Sequence, residues 1–248
     1  MTWRSFTLIC CASTIVVACS TGGPPWTYSG EQGPTKWGRI DPSYAACETG
    51  KSQSPVNIVE VLPRDLPNLA FRYGNAPLHL NNNGRTVEQV FDAGHSVGLG
   101  NMQYQLQSLQ LHNPSEHRAA GKAFPMELQL LHKSAQGHLL IIAVMIKEGH
   151  ASAAVNALMN HVPAEAGDMY VSDQAISLMQ LLPQQRTYMR YSGSLTSPPC
   201  WENVMWVVLT EPIEASKEQI AAFARVLPNN VRPLAPLGRR TVFMDATP

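Results

Sequence analysis

Charge is scarce in this chain. Only 15% of the 248 residues are Asp, Glu, Lys or Arg, and they balance to a formal net charge of +0. That balance gives the molecule as a whole no pull toward a polyanion, and nothing points to nucleic acid as a partner. Long apolar runs are missing too: the one at residues 6–18 is too short to span a bilayer comfortably. The chain has no glycine-rich loop of the kind that cradles phosphate, no internal repeat and no arguable Ser-His-Asp arrangement. Cysteine is sparse: of five, Cys10, Cys11 and Cys19 crowd into the first nineteen residues. Hydrophobic residues make up 44% of the chain, enough for a sizeable core in one large domain or two small ones.

Residues 1–19 read as a targeting segment. Arg4 supplies the positive start, the apolar run follows, and Val16-Val17-Ala18-Cys19 places small residues before a cysteine. This resembles a bacterial lipoprotein signal, in which Cys19 becomes the lipidated first residue. Ser20 in place of aspartate resembles the class sorted to the outer membrane. A plain secretory peptide cleaved nearby is the alternative. Residues 20–25 read as a flexible tether. The expected location is therefore the bacterial cell envelope, periplasm or outer membrane, with membrane contact through an N-terminal lipid anchor. Cys47 and Cys200 are then left without a competing partner. In an exported chain that suggests one disulfide, with two free buried thiols as the alternative. A bridge across so long a loop would stabilise the fold by about 4–5 kcal/mol at most.

Turn signals come often, at Asn81-Asn82-Asn83-Gly84, Ala93-Gly94, Leu99-Gly100-Asn101, Gln136-Gly137 and Ser197-Pro198-Pro199. Between them, residues 87–91, 104–112, 126–132, 139–146 and 204–209 read as strands. Helical patterns are few: residues 151–159, 172–182 and 216–226, the last opening with a capping box of Ser216 and Gln219. Many strands with scattered short helices predict a mainly β (α+β) fold, an antiparallel sheet decorated by loops.

Two of these strands carry the chemistry. Alternation along 104–112 puts Gln110 and His112 on one face and Leu109 and Leu111 on the other; Gln129 joins from a neighbouring strand, with Leu131 on its own face. The segments 109–117 and 124–132 together resemble the two zinc-carrying strands of an α-class carbonic anhydrase. There the first strand reads His-x-His, running on into Ser-Glu-His, and the second reads Glu-Leu-His-Leu-x-His. Further stretches keep the family's order: Trp37-Gly38, Gly50 to Ile58, Asn82-Asn83-Gly84, Tyr191 to Pro199, Trp206, and Asn230 to Leu234 with Pro236-Leu237. The likeness runs from about Trp26 to Val242, and is to the exported bacterial type.

The resemblance implies a single domain at 26–245 with a large, mostly antiparallel twisted sheet, few short helices and a conical pocket. It also implies a Cys47–Cys200 bridge. Of three zinc ligands only His112 remains; Gln110 and Gln129 occupy the other two places. Ser108 stands where the family's supporting glutamine lies, and Arg85 stands at the proton-shuttle position, where arginine cannot release a proton. Glu127 keeps the place of the carboxylate behind the third ligand. Thr196 and Glu116 match the pair that orients zinc hydroxide, His117 matches a structural histidine, and Leu131, Ile141, Leu195 and Trp206 match the pocket wall. Core packing and loop hydrogen bonding would keep the same residues in a metal-free protein.

A carboxamide is a weak, uncharged ligand, so two such replacements should cost zinc affinity heavily, and with it the bound water acidified to a pKa near about 7. The expectation is a non-catalytic relative without a cofactor, binding an unknown envelope protein or glycan. Zinc-dependent hydration of carbon dioxide is the alternative. A metal-free hydrolase or lyase would have to draw on His112, Glu116 and Glu127. His79, His95, His138, His150 and His161 read as surface or loop residues. Arg186, Arg190, Arg225, Arg232, Arg239 and Arg240 give the C-terminal third a basic tint, suited to an anionic glycan or merely scattered over the surface.

Overall fold

The computed structural model describes residues 24–245. The targeting segment, Cys19 and most of the tether lie outside them. Eight strands carry the argument: β1 Asn75–Asn82, β2 Val87–Val90, β3 Met102–His112, β4 Met126–Ser134, β5 Leu139–Glu148, β6 Met169–Ser177, β7 Tyr188–Ser194 and β8 Glu202–Leu209. They lie in the order β6-β1-β2-β3-β4-β5-β8-β7, continued by Phe243–Asp245 and Leu62–Arg64. Among the described residues thirteen strands join this one sheet. Most neighbours are antiparallel. The exceptions are β5 with β8, β5 with Ile213–Ala215, and Phe243–Asp245 with Leu62–Arg64.

The period-two pattern sorts the core. Leu109 and Leu111 on β3, Leu128 and Leu130 on β4, Leu140, Ile142 and Val144 on β5, and Val207 on β8 share one buried cluster with Leu158 and Phe223. The intervening Ile141, Ala143 and Met145, with Trp206, Val208 and Tyr191, form a second cluster on the other face. Each fully buried aliphatic chain contributes roughly 1.5–3 kcal/mol. A one-residue slip would exchange the two faces, so the register is firmly specified. Two helices cover the first face. Ala153–Met159 is capped by Ser152, and Lys217–Val226 opens on the expected reciprocal capping box of Ser216 and Gln219. The Cys47–Cys200 bridge is present, spanning 153 residues.

The helix expected over 172–182 does not form. Its first part is strand β6, and Leu178–Leu181 is a short 3-10 turn. Pairing of β6 with β1 slips between Ser172 and Ala175, a bulge at Asp173 and Gln174 that breaks the period-two signal and leaves a false helical spacing. The C-terminal arginines are not all on the surface either. The buried Arg232 donates to Gln53 Oε1, Ser54 O and Cys47 O, and Arg240 donates to Leu237, Ser192 and Pro236 carbonyls.

Beneath the sheet, buried His132 pairs through Nε2 with the hydroxyl of Tyr73, and the two rings stack. Burial pushes the imidazole pKa down to about 4. The unfolded chain therefore binds a proton here between about pH 6.5 and 4 that the fold refuses, so stability falls as pH drops through that window. The loss should reach about 3 kcal/mol. His132→Gln, which keeps an acceptor for Tyr73, should flatten this slope in urea denaturation at pH 4–7. An unchanged slope would place the acid sensitivity elsewhere.

Candidate functional site

Cross-strand register builds the site. Glu88 on β2 lies opposite Gln110 on β3, which lies opposite Gln129 on β4, which lies opposite Ala143 on β5. Directly opposed residues share a face, so these form one row across the second face of the sheet. One step along, His112 stands opposite Glu127. One step the other way, Val90, Ser108, Leu131, Ile141, Trp206 and Tyr191 make a mostly apolar row. Gln110, His112 and Gln129 are thus brought together as the alternation predicts.

Their hydrogen bonds assign each a task. The Gln129 amide nitrogen donates to Glu116 Oε2 at 2.8 Å and to Glu127 Oε1 at 3.0 Å. The Gln110 nitrogen donates to Glu88 Oε1 at 2.9 Å. His112 donates through Nδ1 to the Asn230 carbonyl at 2.8 Å, because a carbonyl can only accept. Its Nε2 is buried without a hydrogen-bond partner, 3.8 Å from Glu116 Oε2. Glu116 also accepts from the Arg232 backbone at 2.9 Å. Glu127 accepts from the His117 backbone at 2.8 Å and its Nδ1 at 2.9 Å; His117 Nε2 meets Tyr191 Oη at 2.6 Å. Burial alone would raise the Glu127 pKa. The charge and hydrogen bonds of His117 outweigh that and hold it below the usual carboxylate range. His117 thus links Glu127 to Tyr191.

Several expectations fail here. Thr196 makes no hydrogen bond to Glu116 among the described residues: Glu116 Oε2 accepts from the Gln129 amide instead. Ser108 supports nothing, for its hydroxyl is buried without a partner. Trp206 is not among the residues lining the cavity; fully buried next to Ile141 in the same row, it donates through Nε1 to Ser194 O at 2.9 Å. Glu88, which the sequence reading missed, holds Gln110. Arg85 lies with its guanidinium 4.7 Å over the Trp26 ring. The cavity itself, about 110 Å³, is lined by the polar Gln110, Gln129, Thr196 and Ser197 and by the apolar Leu131, Ile141 and Leu195.

A buried row crossing a large twisted sheet beneath a small half-polar cavity defines the class of protein, and likeness to known proteins agrees. A profile describing the eukaryotic-type carbonic anhydrases matches residues 32–246. A carbonic anhydrase of Pectobacterium atrosepticum is 36% identical over 238 residues, covering 96% of this chain and 98% of that protein. The α-carbonic anhydrase of Thermovibrio ammonificans, solved with the inhibitor sulfanilamide, superposes with a TM-score of 0.87 at 36% identity, over 90% of this chain and all of that one. Dioscorin, solved in complex with ascorbate, superposes with a TM-score of 0.82 at 27% identity, over 89% of this chain and 98% of that one. The chain belongs to the eukaryotic-type, or α, carbonic anhydrase family.

Zinc is the metal such a family implies. Zinc sites are built from thiolates, imidazoles and carboxylates. The donors here are one imidazole nitrogen and two carboxamide oxygens, which are uncharged and weakly donating, and this set does not fit zinc. Among the described residues no three His, Cys, Asp or Glu side chains gather in a metal-holding group.

Removing the amide tests this arrangement. Gln129→Leu leaves Glu116 and Glu127 each short of a donor in a buried place, at a cost of about 3 kcal/mol in urea denaturation near neutral pH. Gln129→Glu adds a third carboxylate and should cost more, part of it regained on acidification. A neutral Gln129→Leu would mean that the amide holds nothing.

Proposed function

We propose that this protein uses the carbonic anhydrase fold as a binding or scaffold module at the cell envelope, not as a zinc hydratase. The observation that supports this most is the hydrogen bonding of Gln110 and Gln129. At positions the family resemblance assigns to ligand histidines, their amides serve Glu88, Glu116 and Glu127. Such bonding gives both amide nitrogens carboxylate partners with no cation between them. Arg85, tied over Trp26, adds nothing that could carry protons to and from the cavity. The dioscorin–ascorbate complex is precedent for an organic ligand on this fold. The partner in the envelope is a protein or a glycan, met from an anchor at Cys19.

A second reading, zinc-dependent hydration of carbon dioxide, is favoured by the names of the relatives, which match nearly the whole chain at about a third identity. In it His112 and the two glutamines would hold the metal, beside Thr196 and Glu116.

Zinc content separates the two. Protein purified without added metal or metal-affinity resin should hold no zinc, take up none on incubation, and hydrate carbon dioxide no faster than background. One zinc per chain, lost in His112→Ala, together with chelator-sensitive hydration, would establish the second reading. Gln110→His combined with Gln129→His should restore zinc binding, measured as a metal-dependent thermal shift, whereas either change alone restores little. For the anchor, Cys19→Ser should move the protein from the membrane fraction to the soluble periplasm; unchanged fractionation would refute lipidation.

A further inference from the structure

The two glutamines fix the polarity of the cavity as well as the fate of a metal. A carboxylate only accepts, so the amide nitrogen of Gln110 must face Glu88, and that of Gln129 must face Glu116 and Glu127. Both protons of the Gln129 amide are thereby used. The carbonyl oxygens of Gln110 and Gln129 take no hydrogen bond among the described residues, and both side chains line the cavity. These residues are register partners on adjacent strands, so the cavity floor offers two neighbouring acceptors with carboxylates behind them. Beside them Leu131 and Ile141, one row along the same sheet face, and Leu195 supply the apolar lining. A volume of about 110 Å³ leaves room for a group of a few heavy atoms.

We propose that this cavity binds a small molecule with an NH2 or NH3 donor head and a short apolar tail, a carboxamide or an alkylammonium, and rejects anions of the same shape. An NH2 head brings two protons to two carbonyl oxygens, while the tail covers aliphatic wall. A carboxylate in the same pose would set its oxygens against carbonyl oxygens and against the charge of Glu88, Glu116 and Glu127. Leaving those acceptors unpaired costs enough to discriminate strongly. The inference rests on the metal-free reading above, since a bound cation would draw anions instead.

Three probes of matched size decide it: propionamide, propylammonium and propionate, titrated calorimetrically into the intact protein after dialysis against a chelator. One or both donors should bind saturably, with propionate at least tenfold weaker; the tighter donor tells whether the natural head is neutral or cationic. Leu131→Trp, which fills the cavity from its apolar side, should weaken the donor at least tenfold with the thermal midpoint retained. Leu195→Trp serves the same purpose from the loop should the first variant not fold. Propionate binding as tightly as the donors, or neither donor binding, overturns the inference. The same samples are assayed for zinc. Metal retained through dialysis together with propionate binding defeats the metal-free reading itself, whereas metal-free protein that binds neither donor defeats only the ligand class.

Discussion

The site depends on one carboxamide. Gln129 bridges Glu116 and Glu127, two carboxylates buried where water cannot reach them. Charges taken out of water need donors close by, or the fold gives way. Arg232, through its backbone, and His117, through backbone and ring, supply the others. The network continues through Tyr191 to Ser54, and Arg232 ties the same region to Gln53 and Cys47. The fold thus holds both carboxylates by hydrogen bonds from Gln129, His117 and the Arg232 backbone.

The same arrangement accounts for what has shifted around it. With Gln129 occupying Glu116 Oε2, Thr196 has no partner there and its hydroxyl faces the cavity. Gln110 turns to Glu88 across the β2–β3 pair, and Ser108, one row away, is left with an unpaired hydroxyl. His112 donates through Nδ1 to the Asn230 carbonyl, and its Nε2 is left without a partner.

Much of this was legible in the sequence. The strands over β2, β3, β4, β5 and β8 follow from alternation, and Ser216 with Gln219 marks its helix. The cysteine count singles out the 47–200 pair. Shared faces for Gln110 and His112 need only the period of a strand. Legibility ended where long-range register begins. Glu88 looks like any surface acid until β2 is laid against β3, and nothing near Gln129 in sequence says that it, and not Thr196, serves Glu116. His132 is invisible as a core group without Tyr73, 59 residues away. The bulge at Asp173 and Gln174 disguised an edge strand as a helix. Clean alternation of Ala76, Leu78 and Leu80 in β1 was a signal that could have been used, with Pro77 obscuring it.

The central claim, that the Gln129 amide donates to two buried carboxylates and holds the site without a metal, is open to direct observation. Nuclear magnetic resonance of nitrogen-15-labelled protein would follow the side-chain NH2 signals of Gln129, assigned with Gln129→Leu. The account predicts two downfield, slowly exchanging protons that do not move on addition of stoichiometric zinc or of chelator. Protons that exchange rapidly with solvent, or signals displaced by one equivalent of zinc, would contradict it.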